Sequence, residues 1–141
     1  MKLVDTNVLL YAVNPACPEH RPAKTWLDSA LSGGAPVGFA WLGLIGFVRI
    51  ATHPAIFERP LTPAQALTAV DAWLEAAPAS VLQPKTAHLA ILRRLLGHAR
   101  SAGNLTNDAH LAALALEHKA TVVTFDSDFG KFPDVRWERP R

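Results

Sequence analysis

Asn104-Leu105-Thr106-Asn107-Asp108-Ala109-His110-Leu111-Ala112-Ala113-Leu114-Ala115-Leu116-Glu117-His118-Lys119-Ala120-Thr121-Val122-Val123-Thr124-Phe125-Asp126-Ser127-Asp128-Phe129-Gly130-Lys131-Phe132 reads as helix, short turn, strand and acidic loop. Thr106 is the expected N-cap, and Asp108 falls in the first helical turn, where a carboxylate suits the helix dipole. Leu111, Ala112, Leu114, Ala115 and Leu116 make this helix apolar on most sides, which predicts burial. Glu117, His118 and Lys119 mark its wet end. Thr121 to Phe125 is β-branched and aromatic, the composition of a short buried strand. Asp126 and Asp128 sit just past its carboxyl end.

A second carboxylate has the same placement at the start of the chain. Lys2-Leu3-Val4 reads as a strand, Asp5 ends it, and Thr6 to Val13 reads as the following helix. If the two strands are parallel neighbours, Asp5 and Asp126 come side by side, and Asp108 joins them from the mouth of its helix. Ligands of open α/β sheets bind beyond the carboxyl ends of the strands. Singly, each aspartate has a local role: Asp5 as a cap, Asp108 as a first-turn residue, Asp126 and Asp128 as turn formers. Local roles give no reason for convergence on one crevice. Clustered carboxylates repel and are costly to desolvate, so they require protons or a cation. The hard oxygen ligands favour Mg²⁺, or Mn²⁺.

The rest of the chain supplies the sheet and its cover. Pro36–Ala40, Ser80–Leu82 and Val135–Trp137 are further strands; Pro18–Leu31, Trp41–Thr52, Pro63–Ala77 and Lys85–Ser101 are further helices. Strands alternating with helices predict one three-layer α/β/α domain with a central parallel sheet of four or five strands. The chain has 141 residues, half of them hydrophobic and 18% charged, which suits one domain with a real core and excludes a disordered chain. Asp5 and Asn7 break the apolar start, unlike a signal-peptide core. The longest uncharged apolar run of the first half, Ala35 to Val48, is too short to span a bilayer. With a lone cysteine, Cys17, these features fit a cytoplasmic protein with no membrane contact. Residues 1–85 carry 6 basic and 6 acidic groups and residues 86–141 carry 8 and 6, so the net +2 lies in the second half. If acids there turn inward onto a metal, the outer surface is more basic than the total and suits a polyanion.

Three segments carry a family resemblance: Leu3-Val4-Asp5-Thr6-Asn7-Val8-Leu9, Asn107-Asp108-Ala109-His110-Leu111-Ala112-Ala113-Leu114-Ala115, and Val123-Thr124-Phe125-Asp126-Ser127-Asp128-Phe129. They resemble the acidic motifs of PIN-domain proteins, and their order and spacing resemble the VapC toxins of bacterial toxin–antitoxin pairs. The resemblance covers nearly the whole chain, so 1–141 is expected to be one PIN domain. It implies a Mg²⁺-dependent ribonuclease that cuts RNA, forms a homodimer and is silenced by a VapB-type antitoxin. Asp5, Asp108 and Asp126 match metal-binding catalytic acids, Asp128 matches a supporting metal-binding one, and Thr6, Asn7 and Thr124 match residues that order the acids.

The chain departs from the pattern at one place. The family usually carries a glutamate in the helix after the second strand, whereas Trp41 to Thr52 contains no acid and Gly46 stands about where it would be. One Mg²⁺ held through several waters is then the expectation. The alternative is a catalytically impaired PIN module that binds RNA or antitoxin. The third reading is a phosphoryl-transfer or receiver-like α/β protein with Asp5 or Asp126 as acceptor; against it, neither aspartate lies in a recognisable DxD-type phosphatase motif. Arg49, the single charge of that helix, calls for a partner: a site aspartate, an RNA phosphate, or simply solvent.

Overall fold

The computed structural model describes residues 1–97, 103 and 105–141. Five strands form one sheet: β1 (Lys2–Val4), β2 (Val37–Phe39), β3 (Ala79–Val81), β4 (Thr121–Val123) and β5 (Trp137–Glu138). Their spatial order is β3-β2-β1-β4-β5, and every pairing is parallel. Among the described residues six α-helices make the crossovers: α1 (Thr6–Ala12), α2 (His20–Ser32), α3 (Trp41–Ala51), α4 (Pro63–Glu75), α5 (His88–Leu96) and α6 (Leu105–His118). A 3₁₀ turn over Ser127–Lys131 follows β4. The expected three-layer α/β/α architecture is present.

Strand residues alternate between faces, so each strand feeds two cores. Val4, Val37, Phe39 and Val123 face the layer built by α1, α2, α3 and α4, with Val8, Leu9, Leu27, Leu44 and Phe47 behind them. Leu3 and Val122 face the opposite layer, where α6, Phe129 and Phe132 pack. Gly38 lies against Leu82 on that second face. A Cβ there would stand 2.7 Å from Leu82 Cδ1, so no side chain fits without displacing Leu82.

The element bounds shift slightly from expectation. Strand β4 ends at Val123: Thr124 N–H still donates to Glu138 O at 3.0 Å, but the next amide, Phe125 N–H, turns to the Asn7 side chain. Thr106 lies inside α6 rather than capping it, since the helix already includes Leu105. The expected far end of the Lys85–Ser101 helix falls outside the described residues. At the other end of α6, Lys119 takes a left-handed φ of 54°, with Ala120 N–H donating to Ala115 O at 2.8 Å and Lys119 N–H to Leu116 O at 3.4 Å. This double closure ends the helix and turns the chain directly into β4.

Glu117 corrects the reading of a wet helix end. Its side chain is only 3% exposed and pairs with Nδ1 of His88. It also accepts from the backbone N–H of Lys85 at 2.9 Å. His88 Nε2 in turn meets His110 Nδ1 at 2.9 Å. Partners 29 and 32 residues away leave no trace in a local pattern.

Candidate active site

The register of the two central strands sets the site. Val4 lies opposite Val123, and the ladder continues for one more bond, Asp5 N–H to Val123 O at 3.0 Å. Asp5 therefore leaves β1 beside the point where Thr124 leaves β4. It caps α1, its Oδ1 accepting from Thr6 N–H at 2.7 Å. Its Oδ2 accepts from the Thr124 hydroxyl at 2.7 Å and from Asn7 Nδ2 at 3.1 Å.

Thr124 is fully buried and is the only polar residue in that class among the described residues. A hydroxyl offers one donor and two acceptor sites, and Thr124 uses all three. It donates to Asp5 and accepts from Asn7 Nδ2 and from Asp126 N–H, both at 3.0 Å. Asn7 is shared in the same way, its Oδ1 accepting from Phe125 N–H at 3.0 Å. Asp126 opens the 3₁₀ turn and accepts from Asp128 N–H at 2.8 Å. Asn7 and Thr124 thus tie Asp5 to the loop carrying Asp126 and Asp128. Thr6 works differently: its backbone N–H fixes Asp5, whereas its hydroxyl donates to Gly43 O of α3 at 3.1 Å.

Asp108 enters from the first turn of α6. Among the described residues its carboxylate accepts no hydrogen bond. It nevertheless shares a cleft of about 590 Å³ with Asp5, Asp126 and Asp128. Burial, and then the charges of Asp5, Asp126 and Asp128, push its carboxyl up to about 6, with Lys131 opposing. Asp5 is raised as well, chiefly by burial, against its bonds to Thr124, Thr6 and Asn7. Four carboxylates from three separate segments therefore lie within one another's field. Lys131 offsets part of this by pairing with Asp128 at 3.2 Å on the exposed rim.

The facing wall is α3. Leu42, Gly43, Ile45, Gly46, Arg49 and Ile50 line the cleft, and no carboxylate is among them. A Cβ at Gly46 would stand 3.4 Å from Thr6 Oγ1, which shows how closely this wall approaches α1.

An oxygen-only, strongly anionic donor set suits a hard divalent cation. Among the described residues, however, no three acidic or imidazole side chains are arranged to hold an ion by themselves. The fit is to a small ion bound by one or two carboxylates that keeps several waters, the usual habit of Mg²⁺.

The sequence profile of the PIN domain matches residues 2–135. This chain belongs to the PIN-domain family. Within that family it is similar to the ribonuclease VapC37 of Mycobacterium tuberculosis, at 53% identity over 99% of this chain and 97% of the relative. VapC33 of the same species is 36% identical, over 99% of this chain and 98% of the relative. The resemblance drawn from the three acidic motifs therefore holds for the chain as a whole. Solved PIN structures share the fold. VapBC2 from Rickettsia felis superposes with a TM-score of 0.71 at 18% identity, covering 98% of this chain and 97% of that one. VapC20 of M. tuberculosis gives 0.70 at 18% identity, covering 96% and 99%. In this PIN chain no helix among the described residues is long and apolar enough to cross a membrane.

Proposed function

We propose that this PIN protein is a divalent-metal-dependent endoribonuclease, the toxin of a toxin–antitoxin pair. It hydrolyses RNA phosphodiester bonds and is silenced by a VapB-type antitoxin. The observation that carries the reading is the convergence of Asp5, Asp108, Asp126 and Asp128 on one cleft, where burial and then the other three aspartates push Asp108 up to about 6. Relatives of high coverage named as ribonucleases support RNA over DNA. Solved pairs from the same fold, such as VapBC-1 of Haemophilus influenzae, support a small protein partner. A homodimer, a cytoplasmic location and a single PIN domain over 1–141 belong to the same proposal.

The residues divide by what their oxygens are free to do. Asp5, Asp108 and Asp126 are the catalytic metal-binding acids, and Asp128 is an outer one. Asp5 is locked by three hydrogen bonds and keeps one lone-pair direction of Oδ1 for an ion. Asp108 has no competing donor among the described residues, so its carboxylate would be open to an ion. Asn7 and Thr124 hold the orientation of Asp5 and the approach of Asp126. Magnesium is the proposed ion, with manganese able to replace it. Such an ion supplies Lewis-acid charge at phosphorus and acidifies water for in-line attack.

The test is purified protein incubated with total RNA in Mg²⁺, in Mn²⁺ and in EDTA, with cut ends mapped. Metal-dependent internal cuts, lost in Asp108→Ala, are expected. A second reading, a binding module without turnover, draws on the carboxylate-free wall of α3. RNA or antitoxin binding with no cleavage in any metal would favour it.

A further inference from the structure

We propose that Arg49 is the phosphate-binding residue of this cleft, contacting a backbone phosphate of the RNA from the wall opposite the four aspartates. This rests on the nuclease reading above and adds to it the group that admits the anionic substrate. Among the described residues Arg49 is the only cation lining the cleft, and it is the only charged residue of α3. Among the described residues it forms no ion pair with any aspartate of the site. A cation in the last turn of a helix is favoured by the dipole alone, but that gives no reason to face a cleft holding four carboxylates.

Charge makes the need plain. Four ionised aspartates and one divalent ion leave the cleft negative, and an RNA phosphate adds a further negative charge. The substrate then meets net repulsion unless a cation stands beside its path. Lys131 is spent on Asp128 at the exposed rim. Arg49 is the one group on the facing wall able to supply that charge, and a guanidinium offers two parallel N–H donors to a phosphate. Gly43 and Gly46 line the same cleft on α3, and a Cβ at either would stand 3.5 or 3.4 Å from Thr6 Oγ1, so these residues bring the Arg49-bearing helix close to the α1 end that carries Asp5.

The experiment has two arms. In the first, a fluorescent single-stranded RNA is titrated by anisotropy with Ca²⁺ replacing Mg²⁺, from about 50 to 200 mM salt. Loss of one phosphate contact lowers the slope of log K against log salt by about 0.7. Arg49→Gln is expected to show that drop, and Arg49→Lys to keep the slope. In the second arm, cleavage in Mg²⁺ is expected to fall about 100-fold in Arg49→Gln, the usual cost of losing one donor to a developing oxyanion. Arg49→Lys, with a point charge but no fork, is expected to fall less. An unchanged slope with an unchanged or raised rate in Arg49→Gln overturns the proposal. Matched thermal melts of both variants exclude misfolding as the cause. If the wild type binds RNA but does not cut it, the nuclease reading fails, and the binding arm still decides the role of Arg49.

Discussion

Helix α6 carries two carboxylates with opposite fates. Glu117, near its end, is almost fully enclosed, yet it is met by His88 and by the Lys85 backbone N–H. Asp108, near its start, finds no donor among the described residues and faces three other carboxylates, which with burial raise it to about 6. A buried acid supplied with donors is a structural fastener, here joining α5 to α6. An acid left facing its own kind stores repulsion that only a proton or a cation relieves. Burial alone therefore does not separate structure from function; the partners do.

The comparison is broken most sharply by removing the acids in turn. Asp108→Ala is expected to lower metal-dependent RNA cleavage by at least about 100-fold, a loss on the scale of a single electrostatic catalytic group. Its thermal stability without metal should be unchanged or higher, because repulsion is relieved. Asp5→Ala should match the loss of cleavage but also lose stability, since Thr124, Asn7 and the Thr6 N–H lose their shared acceptor. Activity in a soluble Asp5→Ala, Asp108→Ala double variant would end the nuclease reading.

Glu117→Ala should do the reverse. Stranding the His88 and Lys85 donors costs roughly 1–3 kcal/mol, read by denaturant melts, while the cleavage rate per folded molecule stays close to wild type. A Glu117 variant that folds as well as wild type but fails to cut would erase the distinction.

The pH response sharpens it further. Asp108 in the folded chain holds its proton up to about pH 6, against 3.8 for an ordinary aspartate. The folded state thus binds more protons than the unfolded state between those values, so metal-free stability falls as pH rises from about 4 to 6. Above pH 6 the penalty is complete. Added Mg²⁺ must displace that proton at lower pH, so its thermal stabilisation should be larger at pH 7.5 than at pH 5. An equal shift at both pH values would remove Asp108 from the ion's ligands.

The smallest effect belongs to the helix end. Lys119 holds φ 54°, a conformation that costs a non-glycine residue about 1 kcal/mol. Lys119→Gly should stabilise the protein by up to that amount without altering cleavage. A loss of stability would mean that its side chain contributes more than the strain removes.

Local pattern carried much of this molecule. β1 spans the expected Lys2–Val4, and the α3 and α4 helices fall within a residue or two of their expected bounds, α4 helped by a Thr62–Gln65 capping box. Those signals are apolar periodicity and cap chemistry, which neighbouring residues express. Asp5, Asp108, Asp126 and Asp128 were readable because each follows or opens an element at the same edge of the sheet, and parallel order then brings them together. The His88, His110 and Glu117 chain was not readable, since its members join α5 to α6 and look like ordinary surface residues one by one. The hydroxyl of Thr6 turning to α3 was hidden for the same reason.

The amino-acid order by itself fixed the alternation of strands and helices, the family and which acids stand at strand ends. It did so because hydrophobic period and turn chemistry act over a few residues. The tertiary structure alone decided that β1 and β4 lie side by side, that Thr124 serves three partners at once, and that α3 faces the aspartates with an arginine and no carboxylate. Those outcomes depend on register and packing between segments more than 30 residues apart. No local preference encodes a distance of that kind; only burying both faces of the sheet together sets it.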